Sequence, residues 1–352
     1  MMIAVLGSLW RAKRGEGRLR ACQLPRPGVL LALFARRRRK MGFYDLRTLA
    51  LYRAAWQRRG TPAALLEYVL YRRDLGYRLP KRWSTLLLAG LHHLRVAERR
   101  LALALVAETA PESLAQVPVR FLGQAAGRMA PLASWSRRLD GAAAPAWLAR
   151  LEDRQMQWRD DFAELLRRTR SMGICVVGNG GNLKGAGRGD WIDSHGLVVR
   201  FNRFRCAESN VTDIGARTQI WVGAPGYSGA PPDQAEWVVI SGPDMRFRRQ
   251  NWEPQRDRLE LDRPVLTVPL VLWRSLATSL CAPPSAGLLM LAWIRTMLGS
   301  WEGVVTVGMG VTPSADLPYH HADPAQKAVG RHNWGAERLL LGRWRDEGLR
   351  MR

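Results

Sequence analysis

The sequence predicts an α/β protein: one Rossmann-like sheet flanked by helices, preceded by a basic, helical N-terminal region. Three observations carry this reading. Residues 173–202, GICVVGNGGNLKGAGRGDWIDSHGLVVRFN, open on Ile174-Cys175-Val176-Val177 and break at once into Gly178-Asn179-Gly180-Gly181-Asn182. Four apolar residues in a row read as a buried strand, and a Gly/Asn cluster suits neither a helix nor a strand interior. From residue 172 onward, short apolar runs alternate with helical patterns, the grammar of an α/β sandwich. Before that point, apolar residues recur at helical spacing.

The chain divides into three stretches. Residues 1–40 are expected to be basic and poorly ordered. Residues 41–170 are expected to be helical: Leu65, Leu66, Val69, Leu70 and Leu75 share a face, as do Leu86, Leu87, Leu91, Leu94 and Leu101, with Pro62, Pro80, Pro111 and Pro118 as punctuation. His92 and His93 fall inside one such helix, in packing or surface roles. Residues 171–352 are expected to form the Rossmann-like domain. Its further strands are read at 197–199, 219–222, 237–240, 265–268 and 303–308. Residues 281–297 read as a helix with prolines ahead of its first turn and Ser285 near its N-cap.

The 352 residues carry a formal net charge of +24. Residues 1–170 hold 33 basic and 13 acidic side chains, whereas residues 171–352 hold 21 and 17. The positive charge therefore belongs to the first half and includes five consecutive cations at 36–40. Such a run is a solvated tail, an anionic membrane face or a nucleic-acid contact. Nucleic acid ranks last, because no DNA- or RNA-binding motif and no aromatic–basic interleaving is present. The four cysteines show no CxxC pair and no zinc spacing, and Cys175 sits in a predicted buried strand as a small hydrophobe. The apolar runs at 1–6 and 28–35 are too short to span a bilayer, and the cations follow the first run where a signal peptide needs them ahead of it. The expectation is a cytoplasmic protein, peripheral on the inner face of the membrane.

A strand entering a Gly-rich loop at the carboxyl edge of an α/β sheet is where such sheets bind nucleotides. Bare loop N–H groups approach a phosphate closely, and Asn amides add donors without charge. The loop departs from known fingerprints. Leu183 stands where the dinucleotide motif needs its third Gly, and Leu183 with Gly185 breaks the P-loop pattern. A methyltransferase would place an acidic residue where Asn202 stands. On these residues alone a plain strand–turn connection explains the stretch equally well.

The wider pattern resembles glycosyltransferase family 29, the eukaryotic-type sialyltransferases. CVVGNGGNLKG followed by IDSHGLVVRFN is similar to the family's long motif. The segment at 213–218, DIGART, resembles the short segment that follows it. PSAGLLM at 284–290 resembles the short motif, His320-His321-Ala322-Asp323 the third motif, and His332 with Glu337 five residues on the last motif. The set occurs in family order and covers about residues 172–341. There are departures. Cys175 is displaced by one position from the family's disulfide cysteine, and the partner position falls near Leu298. Gly196 replaces an Asp, and Ala286 replaces a hydroxyl residue.

The resemblance implies a GT-A-like variant of the Rossmann sheet. It also implies an inverting, metal-independent transfer of sialic acid, or a related keto sugar such as Kdo, from a CMP-sugar to a glycan or glycolipid. No cofactor beyond that donor is expected, and no metal: the sequence has no Asp-x-Asp. His332 is the implied general base and His320 the group that serves the departing phosphate. Asn179, Gly180, Asn182 and Asn202 would hold phosphate and ribose. Ser285, Ala286 and Gly287, at a helix N-terminus, would receive an anionic group. Asp193, Asp323 and Glu337 are expected to organise these groups. His195 and His321 are expected in structural or surface roles, and a His320–His332 metal pair lacks a third patterned ligand.

Overall fold

The computed structural model describes residues 27–126, 146–204, 206, 208–225, 227, 229–242, 253–309, 320, 328 and 330–352. Of the residues read from the sequence, His321, Ala322 and Asp323 lie outside these, as does Cys22.

The first helices are α1 Pro27–Lys40, α2 Leu46–Arg59, α3 Pro62–Asp74, α4 Lys81–Ala89, α5 Val96–Thr109 and α6 Val119–Ala126. Local chemistry sets their ends. Asp45 caps α2 through the Thr48 N–H, Thr61 caps α3 through Ala64, and Pro62 occupies the first turn of α3. Gly60 closes α2 in the left-handed conformation. These helices bury their own core, including Tyr52, Leu66, Tyr71, Leu87, Leu103 and Leu105.

Pro27–Lys40 is helical, and three of its five terminal cations are held by ion pairs: Arg36 to Glu67, Arg38 to Asp45 and Arg39 to Asp74. Partners 31, 7 and 35 residues away turn an apparently solvated run into a docked helix end.

Next come α7 Ala146–Asp153, α8 Gln155–Thr169, β1 Ile174–Val177, α9 Gly189–Asp193, β2 Leu197–Phe201, α10 Val211–Ile214, β3 Ile220–Gly223 and β4 Trp237–Ile240. The chain continues through α11 Glu253–Glu260, β5 Val265–Thr267, α12 Leu270–Leu280, α13 Ala286–Leu298, β6 Val304–Val307, α14 Trp334–Asp346 and β7 Arg350–Met351. Among the described residues the seven strands form one sheet in the order β5-β4-β3-β2-β1-β6-β7, and every pairing is parallel. The single Rossmann-like sheet read from the sequence is thus present. Both faces are covered, which is why its strands read as unbroken apolar runs.

Successive side chains alternate between the two faces. Ile174 and Val176 join Leu197 and Val199 in the larger core, against Phe162 and Leu166 of α8, Leu288–Ile294 of α13 and Leu341 of α14. Cys175 and Val177 join Val198, Val305 and Val307 on the other face, under Leu183, Ile192 and Ile214. Helix α8 therefore packs into the core of the α/β sheet. Gln155 ties α8 to the sheet, donating to the Val265 carbonyl at 2.8 Å and accepting from the Thr267 N–H at 2.8 Å.

The two cores are joined by a buried carboxylate. Glu108 of α5 accepts from Arg73 of α3 at 2.5 Å and from Arg274 of α12 at 2.6 Å. Two cations on one buried carboxylate offset its desolvation.

Candidate active site

Chain order runs outward from β1 to β5 and then returns to place β6 on the other side of β1. Ligands of open α/β sheets bind at such a reversal, outside the carboxyl ends of the strands. The Gly178 loop lies there. The Gly178 N–H donates to the Val307 carbonyl and the Gly180 N–H to Gly308, each at 2.8 Å. A Cβ on Gly178 would collide with the Gly308 carbonyl, and Gly308 itself has φ +64. The two glycines let the loops after β1 and β6 touch backbone to backbone.

Met309, which follows, reaches the first turn of α13. Its sulfur lies 3.0 Å from where a Cβ would sit on Gly178 and on Gly287. Three segments distant in sequence thus converge on one thioether. The sequence gives no sign of this, since a single Met outside every motif looks like filler.

The asparagines join the end of β2 to the same edge. Asn179 Nδ2 donates to the Phe201 carbonyl at 3.0 Å. Asn202 adopts φ +46, and its Oδ1 accepts from the Ala224 N–H at 2.7 Å. Oδ1 being so engaged, Nδ2 supplies the donors of the Asn202 amide. Asn182 is exposed in the turn beyond and takes no part in this cluster.

Ser285 is the N-cap of α13, accepting from the Leu288 N–H at 3.3 Å. Its own N–H donates to Glu337 Oε1 at 2.8 Å and its hydroxyl to Oε2 at 2.6 Å. The Ser285 hydroxyl is therefore occupied by the fold. Among the described residues, the N–H groups of Ala286 and Gly287 have no acceptor, and they open a 13-residue helix. Such N–H groups, with the positive end of the helix dipole behind them, suit an anion. Burial pushes the Glu337 carboxyl up to about 7, against the two Ser285 hydrogen bonds.

His332 precedes Asn333, the N-cap of α14, whose Oδ1 accepts from Ala336 at 3.2 Å. His332 Nδ1 lies 2.8 Å from the Pro283 carbonyl. A carbonyl only accepts, so Nδ1 carries the proton and Nε2 is the basic nitrogen of the neutral ring. Pro283 is two residues from Ser285, which places His332 beside the α13 N-terminus. His320 is buried, at 4% exposure.

Asp193 stands apart. Its carboxylate accepts from the Ala216 N–H at 2.7 Å and the Arg217 N–H at 3.0 Å, and faces Arg200 at 3.6 Å. Arg200, 1% exposed, donates to the carbonyls of Ile214 and Arg217, and burial pulls its guanidinium down to about 10. This buried arginine escaped sequence reasoning, because one cation between apolar strand residues looks like an edge position. Asp213, read from the sequence only as the first residue of the 213–218 segment, holds the loop beyond the glycines through the N–H groups of Gly185 and Gly187, at 2.7 and 2.9 Å. His195 is structural, with Nδ1 2.8 Å from the Trp191 carbonyl. Among the described cysteines, Cys175, Cys206 and Cys281 are free, and burial pushes the Cys175 thiol up to about 12.

Fold and site together define an open parallel α/β protein in which the loops after β1 and β6 meet the first turn of α13 at the β1/β6 reversal. Residues 155–236 match the family model "Glycosyltransferase family 29 (sialyltransferase)", which bears out the resemblance read from the motifs. A "Sialyltransferase-like protein 2" of Oryza sativa subsp. indica is 45% identical over 62 residues, covering 18% of this chain and 15% of that protein. The chain thus aligns with less than a fifth of the length of that curated relative. A crystal structure of a mammalian sialyltransferase has a TM-score of 0.39 at 20% identity, over 52% of this chain and 69% of that one. Another, in complex with Gal-beta-1-3GalNAc-ortho-nitrophenol, has a TM-score of 0.37 at 20% identity, over 51% and 68%.

Proposed function

We propose that this chain is an inverting glycosyltransferase. It moves sialic acid or a related keto sugar from a CMP-sugar to a hydroxyl of a glycan or glycolipid, without a metal ion. The Gly178–Gly180 loop and the Asn179 and Asn202 amides hold the nucleotide. The N–H groups of Ala286 and Gly287 receive an anionic group, either the donor phosphate or the sugar carboxylate. The acceptor oxygen attacks the anomeric carbon as the bond from that carbon to the phosphate oxygen breaks. The hydroxyl proton passes to His332 Nε2, and His320 donates to the oxygen of the departing CMP.

The observation that carries this reading is the 2.8 Å bond from His332 Nδ1 to the Pro283 carbonyl. It fixes the tautomer a general base needs, next to a helix N-terminus suited to an anion. Glu337 has a supporting part, holding Ser285 so that the first turn of α13 keeps its place.

A transfer and hydrolysis screen with CMP-sialic acid, CMP-Kdo, UDP-sugars and GDP-sugars tests the reading. Turnover of a CMP-sugar alone supports it. Turnover confined to a UDP- or GDP-sugar overturns it.

A further inference from the structure

Helix α1 is inverted relative to an ordinary surface helix. It buries its small residues, Gly28, Ala32 and Ala35. Gly28 is packed so closely on α2 that a Cβ would press on the Arg58 and Arg59 side chains. Its large apolar residues point outward: Val29, Leu30, Leu33 and Phe34 are 36, 47, 49 and 54% exposed. At 100° per residue these four fall within one sector of the helix, together with Arg37, Lys40 and Met41. Beyond the helix Phe43 and Leu46 are exposed as well, as is Arg47. A contiguous apolar strip rimmed by cations is costly in water and marks an interaction surface.

The charges choose the occupant. Arg36, Arg38 and Arg39 are spent on Glu67, Asp45 and Asp74, while Arg37 and Lys40 lie on the apolar face itself. A chain of net charge +24 bringing the same cationic strip to a second copy would meet like charge. An anionic bilayer meets both demands: its headgroups pair with Arg37, Lys40 and Arg47, and its acyl boundary takes Leu30, Leu33 and Phe34. We infer that α1 is an interfacial anchor, lying in the plane of an anionic membrane with this face down. The inference is independent of the chemistry proposed for the site.

Co-sedimentation of the full chain with phosphatidylcholine vesicles, and with vesicles containing phosphatidylserine, at low and high salt, tests it. The wild type should bind the anionic vesicles about tenfold or more tightly than the neutral ones. Leu33→Ser/Phe34→Ser should weaken binding about tenfold, and Arg37→Glu/Lys40→Glu should do so at low salt above all. Both sets of residues are exposed, so the far-UV spectrum and Tm should stay unchanged. A third variant, Leu339→Ser, alters an apolar residue that is 74% exposed on α14 and should bind as the wild type does. The inference is overturned if the wild type ignores anionic vesicles, or if the apolar pair can be replaced without effect. It is equally overturned if light scattering shows a dimer that Leu33→Ser/Phe34→Ser dissolves while vesicle binding persists.

Among the described residues no helix is long and apolar enough to cross a membrane.

Discussion

Glu337 takes both the N–H and the hydroxyl of Ser285, 52 residues away, and so locks the first turn of α14 to the first turn of α13. The carboxyl is 1% exposed and titrates near 7 when folded, against an ordinary 4.5. A carboxyl raised in this way binds its proton more tightly in the folded chain. Its contribution is therefore fully present below 4.5, is lost as pH rises toward 7, and is constant above that.

Glu337→Gln removes this titration and keeps hydrogen-bonding groups toward both Ser285 partners. Urea melts of wild type and variant should diverge between pH 4.5 and 7, the wild type losing up to ~3 kcal/mol relative to Gln. Parallel curves across that window would mean that Glu337 is not perturbed.

Ser285→Ala leaves the buried Glu337 carboxylate short of a donor and α13 short of its cap. A loss of about 2 kcal/mol is expected from these two effects. Thermal melts at pH 8, where the carboxylate is charged, check it. A cost that is larger at pH 5 than at pH 8 would contradict it.

Gly178→Ala forces a Cβ onto the Gly308 carbonyl, where backbone cannot yield as a side chain can. The loops after β1 and β6 must separate. Nucleotide affinity should fall at least about tenfold, with a stability loss of about 1–3 kcal/mol. Gly185→Ala is the control: nothing lies near its Cβ, so it bears only the strain of its φ of +73. Equal CMP affinity in Gly178→Ala and wild type would remove the loop from the site.

Arg200→Met leaves the Ile214 and Arg217 carbonyls without their buried donor and Asp193 without the cation it faces. About 3 kcal/mol or more of stability should be lost. Chemical denaturation measures it, and a change below about 1 kcal/mol would show that the pair stands in water.

The sheet was legible because β1, β2 and β6 are short runs bounded by Gly or Asn and β4 is an apolar run that ends at Ser241-Gly242, and burial on both faces leaves no other pattern. Helix α12 has no counterpart in the sequence reading, which passes from the 265–268 strand to the 281–297 helix, because its apolar residues show no cap or break to mark its start. Strand β7, Arg350–Met351, is two exposed residues defined by pairing with β6 alone. The wiring around the candidate residues is not legible in the sequence. That Ser285 is engaged by Glu337, that Met309 bridges Gly178 and Gly287, and that Arg36, Arg38 and Arg39 have carboxylate partners all depend on long-range contacts. No local pattern encodes them.

The central claim is that His332 is the base, and His332→Asn tests it most directly. The Asn amide can still donate to the Pro283 carbonyl, so the α13 and α14 ends should stay in place, but no basic nitrogen remains. With a CMP-sugar donor and EDTA present throughout, the wild type should turn over undiminished. His332→Asn should lose about 10²–10⁴-fold in kcat while binding CMP in calorimetry as the wild type does. Near-full turnover by His332→Asn, or activity that EDTA abolishes and a divalent metal restores, would contradict the assignment.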